Sequence, residues 1–291
     1  MPPRFLVPTD GSDPVTAALE HTLDIASERD ATVHLLHVAD TNQPSLTRLG
    51  TDVVDVLEEE GESVVSETAA LAEERGVSVV TDVVQGDPRP TIVDYVSADA
   101  FEFIAMGAHG RRGLGEYVLG SVTDHVVNRS PVPVMTVRAA DGVTPTYPYT
   151  DVLVPTDGSD HATAALKLAA AAAERTGATL HLLSIVDELP EVGDAESTQL
   201  SEQLEENVQT VLDEAAATAT QAGVDDVTTT IATGTMPQEV TRYADEKEID
   251  LVVMGTHGHT GLDRHLLGSF TERLTRTSPV PVLTTRADEQ A

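Results

Sequence analysis

The sequence predicts an α/β protein of two tandem doubly wound domains, each a parallel sheet with helices on both faces. Three observations carry that prediction. An internal repeat covers nearly the whole chain, short apolar runs alternate with helical stretches in each half, and Gly-rich turns join strands to helices.

The heptapeptide VPTDGSD stands at 7–13 and returns at 154–160. Near the end of each half, MGAHGRRGLGEYVLGSVTDHVVNRSPVPVMTVR (106–138) aligns with MGTHGHTGLDRHLLGSFTERLTRTSPVPVLTTR (254–286). The offset grows from 147 to 148 residues between the two motifs, so the halves differ by about one net residue. The reading is a duplicated unit: a first domain at 1–138, a linker at 139–150 and a second domain at 151–287. The linker AADGVTPTYPYT holds two prolines and a glycine and has no hydrophobic period.

Within each half the elements follow in order. FLVP (5–8) and VLVP (152–155) read as short buried strands. Ser12 or Ser159 then caps a helix, whose apolar face in the first copy is Val15, Ala18, Leu19, Thr22 and Ala26. TVHLLHV (32–38) and TLHLLSI (179–185) are second strands, followed by long helical stretches over about 52–75 and 197–222 that end at Gly76 and Gly223. Third strands at 77–84 and 227–232 lead to helices near 89–98 and 237–247. Fourth strands, 101–107 and 250–255, precede a Gly-rich loop, a last helix and a fifth strand. Continuous apolar strands alternating with helices specify a parallel sheet covered on both faces. Pro133 and Pro281 fall in the fifth strands, where a missing N–H is tolerated at an edge or a strand start.

Composition narrows the function. Hydrophobic residues make up 40% of the 291, while aromatics are 3% and Trp is absent, so the cores are aliphatic. With no cysteine, disulfides, thiolate metal sites and Cys nucleophiles are excluded. No apolar run approaches a membrane span or a signal peptide, and a cytoplasmic location is expected. Asp and Glu number 49 against 17 Lys and Arg, a formal charge of −32, and Lys167 and Lys247 are the only lysines. The acids are spread over both halves, which reads as adaptation to a salt-rich, halophilic cytoplasm rather than as an acidic partner-binding surface. So negative a field argues against nucleic acid or anionic membranes as partners.

The chemistry is expected beyond the carboxyl ends of the strands. PTDGS follows the first strand (Pro8 to Ser12, Pro155 to Ser159). Gly107-x2-Gly110-x9-Gly120-Ser121 follows the fourth, and Gly255-x2-Gly258-x9-Gly268-Ser269 repeats it. Gly107 and Gly110 are read as positions of positive φ that let backbone N–H groups approach an anion. Gly120-Ser121 opens a helix whose first N–H groups favour phosphate oxygens, with Ser121 and Thr123 hydroxyls adding bonds. The competing reading is a tight strand-to-helix turn with no ligand. No Gly-Lys-Ser/Thr occurs, so this is not a P-loop.

These motifs resemble the ATP-binding branch of the universal stress protein family, in a tandem two-domain form. The resemblance covers nearly the whole chain twice. It implies five-stranded sheets in the order 3-2-1-4-5, and pairing of the two halves through their fifth strands (132–137 and 280–285), with further homo-oligomerisation open. It implies ATP, with Mg²⁺ held by the phosphates. Asp10 and Asp157 would contact the nucleoside, and Val38 and Ile185 would present backbone to adenine. Gly107, His109, Gly110, Gly120 and Ser121 would surround the phosphates, as would Gly255, His257, Gly258, Gly268 and Ser269. Pro8, Thr9, Met106, Val122 and Thr123, with Pro155, Thr156, Met254, Phe270 and Thr271, complete the candidate set. Arg111-Arg112 follows the first turn where His259-Thr260 follows the second, so tighter triphosphate binding is expected at the first site.

Three functions compete: a nucleotide-binding stress or regulatory protein, a slow ATP hydrolase or self-phosphorylating enzyme, and a scaffold or chaperone-like protein that keeps the loops for structure. No catalytic residue is assigned, since neither a lysine nor an obvious arginine finger stands at the motifs. Asp10 and Asp157 read as turn or sugar contacts ahead of catalytic bases. His257 and His259 are too few for a metal site. Asn128-Arg129-Ser130 matches a glycosylation acceptor by chance. The acidic stretches 55–62 and 187–196 read as solvated surface, the second alternatively as a flap over its site.

Overall fold

Apolar runs between Pro- and Gly-containing turns set the strands, and amphipathic stretches set the helices. The computed structural model describes residues 2–42, 46–49, 52–109, 119–138, 145–186, 195–257 and 268–287. The chain divides into two compact units, Met1–Tyr147 and Pro148–Leu274 with Val282–Ala291; Thr275–Pro281 groups with the first.

The first unit runs β1 (Arg4–Pro8), α1 (Asp13–Arg29), β2 (Thr32–Asp40), β3 (Leu46–Leu49), β4 (Asp52–Asp55), α2 (Val56–Glu74), β5 (Ser78–Gly86), α3 (Pro88–Ser97), β6 (Phe103–Gly107), α4 (Ser121–Arg129) and β7 (Val134–Val137). Its main sheet has the order β5-β2-β1-β6-β7, all parallel. α1 packs beside α2 and α3 beside α4, the arrangement that right-handed crossovers require of this strand order. The order reverses at β1, which opens a crevice above its carboxyl end.

The second unit runs β8 (Asp151–Pro155), α5 (Asp160–Thr176), β9 (Thr179–Val186), α6 (Ala195–Gln221), β10 (Val227–Thr233), α7 (Met236–Glu246), β11 (Leu251–Gly255), α8 (Ser269–Thr277) and β12 (Val282–Thr285). Its order, β10-β9-β8-β11-β12, is again parallel throughout. Omitting the separate β3–β4 pair, both units count as 3-2-1-4-5.

Each core lies between sheet and helices. Phe5, Leu6 and Val7 of β1 are fully buried, and Phe5 stacks on Phe103 with ring centroids 4.4 Å apart. Val15, Ala18, Leu19, Thr22 and Ala26 of α1 are buried, the face that the helical period requires. In α5 that face is mostly alanine (Ala162, Ala165, Ala169, Ala170, Ala173), with Leu166 among them.

Three local expectations need correction. Residues 52–55 are not helical: β4 pairs antiparallel with β3, Thr47 opposite Val54 and Arg48 opposite Val53. Ser159 Oγ accepts from Ala162 N–H at 3.2 Å and caps α5, but Ser12 makes no side-chain cap on α1. There Val15 N–H, which stands where Ala162 stands in α5, bonds to the Ser12 carbonyl instead. Pro133 and Pro281 stand just before β7 and β12 rather than inside them, and Pro133 still accepts from Ile104 N–H through its carbonyl.

Candidate functional site

Apart from the serine cap, the PTDGS turns are built alike in the two units. Thr9 N–H donates to Leu36 O at 2.8 Å, and Thr156 N–H to Leu183 O at 2.9 Å, tying each turn to the neighbouring strand. Ser12 N–H donates to Asp10 Oδ1 and Ser159 N–H to Asp157 Oδ1, both at 3.0 Å. These are Asx-type turns, so one oxygen of each aspartate is engaged in holding its own loop. The left-handed residues are Gly11 (φ 72°) and Gly158 (φ 78°).

The glycine turns have a different logic from the one expected. Neither Gly107 nor Gly255 has positive φ. A Cβ on Gly107 would lie 2.8 Å from the Pro14 carbonyl carbon, and one on Gly255 2.7 Å from His161 Cβ. Glycine is required there because the first helix crosses the end of the fourth strand at backbone distance. Gly120 has φ −62°, caps α4, and donates its N–H to Ala108 O at 2.9 Å; Gly268 N–H donates to Thr256 O at 3.1 Å. The Thr123 hydroxyl, expected to donate to a ligand, donates to Gly107 O at 2.9 Å, and Thr271 Oγ1 to Gly255 O at 3.1 Å. What remains directed outward is the first turn of α4, where the Ser121 and Val122 N–H groups have no intrahelical acceptor.

A cleft of about 630 Å³ opens above β1 in the first unit. Its walls include Pro8, Thr9, Asp10, Val38, Met106, Gly107, His109, Gly120, Ser121, Val122 and Thr123. Gly110 and Arg111-Arg112 lie outside the described residues. In the second unit Pro155, Thr156, Asp157, Ile185, Met254, Gly255, His257, Gly268 and Thr271 occupy the matching ends of strands and starts of helices. Phe270 is half-buried in the first turn of α8, and Ser269 opens that helix. Gly258 and His259-Thr260 lie outside the described residues, as does most of the acidic stretch 187–196.

Several cleft residues were not singled out by the sequence: His37, Asp40, Asn42, Leu57, Glu60, Asp87, Arg89 and Ile92. His37 Nδ1 lies 2.9 Å from Thr9 O. Asp87 caps α3 by accepting from Arg89 N–H at 3.1 Å, and it also pairs with the Arg89 guanidinium through Nε at 3.0 Å and Nη2 at 2.6 Å. Those hydrogen bonds draw the Asp87 carboxyl down to about 2 and push the Arg89 guanidinium above its ordinary value. The available signal was position: Asp87 and Arg89 directly follow the third strand of the sheet, at the end where ligands collect.

The walls are rich in acid, with Asp10, Asp40, Glu60 and Asp87 facing one guanidinium among the described residues. An anionic ligand must therefore be held by short-range N–H donors or arrive with a cation. In the second unit the His161 and His257 rings lie 5.3 Å apart, and His161 Nδ1 accepts from Ala287 N–H at 3.0 Å. That acceptor role keeps His161 neutral with its proton on Nε2. Burial first, then His257 and Arg286, lower its pKa accordingly. Among the described residues no group of three or more His, Cys, Asp or Glu is placed to hold a metal ion. Asn128 is buried, its amide nitrogen donating to Asp124 O at 2.8 Å, a setting that no glycan could reach. Glu58, Glu59, Glu60 and Glu62 of the first acidic stretch are exposed. No described helix is long and apolar enough to cross a membrane.

Comparison with known proteins gives a consistent set. The family model described as the universal stress protein family matches residues 1–138 and 148–286. A universal stress protein of Methanocaldococcus jannaschii is 33% identical over 138 residues, 46% of this chain and 81% of its own. One from Mycobacterium tuberculosis is 32% identical over 241 residues, covering 79% of this chain and 78% of its own. The crystal structure of a universal stress protein from Archaeoglobus fulgidus superposes with a TM-score of 0.73 at 27% identity, covering 99% of this chain and 97% of that one.

Proposed function

Because the chain belongs to the universal stress protein family, we propose that its two units bind adenine nucleotide, ATP with Mg²⁺ on its phosphates, and that binding sets conformation or assembly in a stress or regulatory role. The observation that carries this reading is the first unit's cleft, where the PTDGS turn, the end of β2 and the start of α4 meet around one volume large enough for a nucleotide. Val38, Ile92, Leu57 and Met106 supply apolar surface for a base. The Ser121 and Val122 N–H groups supply donors for phosphate. Mg²⁺ would neutralise phosphate charge that Asp10, Asp40 and Glu60 otherwise repel. Asp10 and Asp157 take the role of sugar contacts.

The donor set fits a bound polyphosphate rather than its rapid cleavage. No residue at the cleft is assigned as a base, since Asp10 already holds its own turn through Oδ1. The −32 charge is taken as adaptation to a salt-rich cytoplasm.

The test is mass spectrometry of small molecules released when protein purified in high salt is denatured. Close to two adenine nucleotides per chain is the expected result. A protein that is empty and also ignores added Mg-ATP would make the glycine turns purely structural and favour the scaffold reading.

A further inference from the structure

Arg89 is the one Lys or Arg on the described walls of the first unit's cleft, and it stands at the start of α3, next to α4. His125, one turn beyond Ser121 on α4, lies close enough to feel its charge. The Arg89 guanidinium is held by Asp87 in a two-pronged pair, and the Asp40 carboxylate on the same wall adds a longer-range attraction. Both side chains are open to solvent, 49% exposed for Arg89 and 30% for Asp87, so the pair can open without uncovering a buried charge. A guanidinium fork matches two oxygens of a phosphate as well as two of a carboxylate.

Asp87 has a second duty that makes such an exchange tolerable. Its Oδ1 accepts the Arg89 backbone N–H and caps α3, a bond that does not depend on where the Arg89 side chain points. Releasing the guanidinium leaves the helix capped.

We propose that Arg89 is a specificity-determining residue of the first cleft, leaving Asp87 to bind the outer phosphates of a nucleoside di- or triphosphate, so that this cleft separates polyphosphates from monophosphates. The inference rests on the nucleotide reading above. It also gives the two units different chemistry, because Pro237 stands in the second unit where Arg89 stands in the first.

The exchange has a definite balance of charge. A monophosphate seated on the α4 N–H groups leaves the Asp87–Arg89 pair closed. A longer phosphate chain reaches the guanidinium, and the freed Asp87 carboxylate is solvated at the rim. Because Asp87 competes with the ligand, weakening Asp87 strengthens polyphosphate binding while removing Arg89 weakens it.

The experiment is photolabelling of the full chain in high salt with 8-azido-ATP and Mg²⁺, quantifying labelled peptides of the first unit against competing ATP or AMP. Arg89→Gln is expected to weaken ATP competition by about tenfold and to leave AMP within about twofold, the scale of one charge-assisted phosphate contact. Asp87→Asn, which keeps a good cap, is expected to strengthen ATP competition by a few-fold. Unchanged competition in Arg89→Gln overturns the proposal. So does equal weakening by both variants, which would make the pair a structural clasp. A chain in which neither unit is labelled overturns the nucleotide reading itself, and this inference with it.

Discussion

His37 Nδ1 lies 2.9 Å from the carbonyl oxygen of Thr9, joining the end of β2 to the turn after β1. A carbonyl only accepts, so Nδ1 carries the proton. The ring is wedged in place by α2, where a Cβ on Gly61 would lie 2.6 Å from His37 Cδ2. His37→Ala removes the donor from a part-buried carbonyl, and a loss of about 1–2 kcal/mol is expected in urea unfolding at high salt. Wild-type stability in that variant would mean that water replaces the bond without cost.

Gly107 and Gly76 separate two reasons for glycine. At Gly107 an added methyl meets Pro14 backbone at 2.8 Å, so Gly107→Ala is expected to cost about 1–3 kcal/mol through overpacking. Gly76 has φ 69° and nothing within 4 Å, so Gly76→Ala carries only the left-handed backbone penalty of about 1–2 kcal/mol. On the proposed nucleotide reading, Gly107→Ala is expected to shift the cleft wall and weaken ATP binding, and Gly76→Ala to leave it unchanged.

Acid sensitivity is expected from His34. Burial, reinforced by Arg4, holds its pKa below the ordinary 6.5, and Arg4 Nε donates to its Nε2 at 3.0 Å. Unfolded His34 takes up a proton near 6.5 that the folded residue refuses. Its contribution is therefore intact above 6.5 and is lost as pH falls from there towards the lower folded value. Relief of acidic self-repulsion acts in the opposite sense over the same range, so the useful quantity is a difference. Between about pH 7.5 and 5.5, His34→Gln is expected to lose less stability than the wild type. Parallel curves would place the acid sensitivity elsewhere, with His125 and His161, whose pKa values are lowered in the same direction, the next candidates.

Salt dependence follows from the charge of −32. Lowering KCl from about 3 M to about 0.1 M lengthens the screening distance from under 3 Å to about 10 Å and restores repulsion among the acids. The unfolding temperature is expected to fall steadily across that titration. A flat curve would contradict the halophilic reading and return the acids to a partner-binding role.

Much of this molecule was legible in the repeat. Once VPTDGSD and the Gly-rich run recurred at nearly constant offset, the strand–helix alternation of one half checked that of the other. Local patterns fared worse where two conformations compete. The 52–55 segment reads as the start of α2 by its neighbours, yet pairs with β3 because an antiparallel partner lay six residues upstream. The Ser12 cap failed for an equally local reason: Val15 N–H, the counterpart of the Ala162 N–H that Ser159 Oγ receives, turns to the Ser12 carbonyl instead.

The sequence by itself determined the duplicated α/β architecture, the strand ends where a ligand can sit and the residue types around them, because periodicity, turn chemistry and net charge are properties of neighbours along the chain. Only the tertiary structure decided what those residues do with their bonds. It turned Gly107 from a flexible anion loop into a packing contact with Pro14, spent the Thr123 hydroxyl on Gly107 O, and brought His37 to the cleft from β2 and the Asp87–Arg89 pair from the start of α3. Those outcomes depend on distances between segments far apart in sequence, which the close packing of sheet against helix fixes and no local pattern encodes.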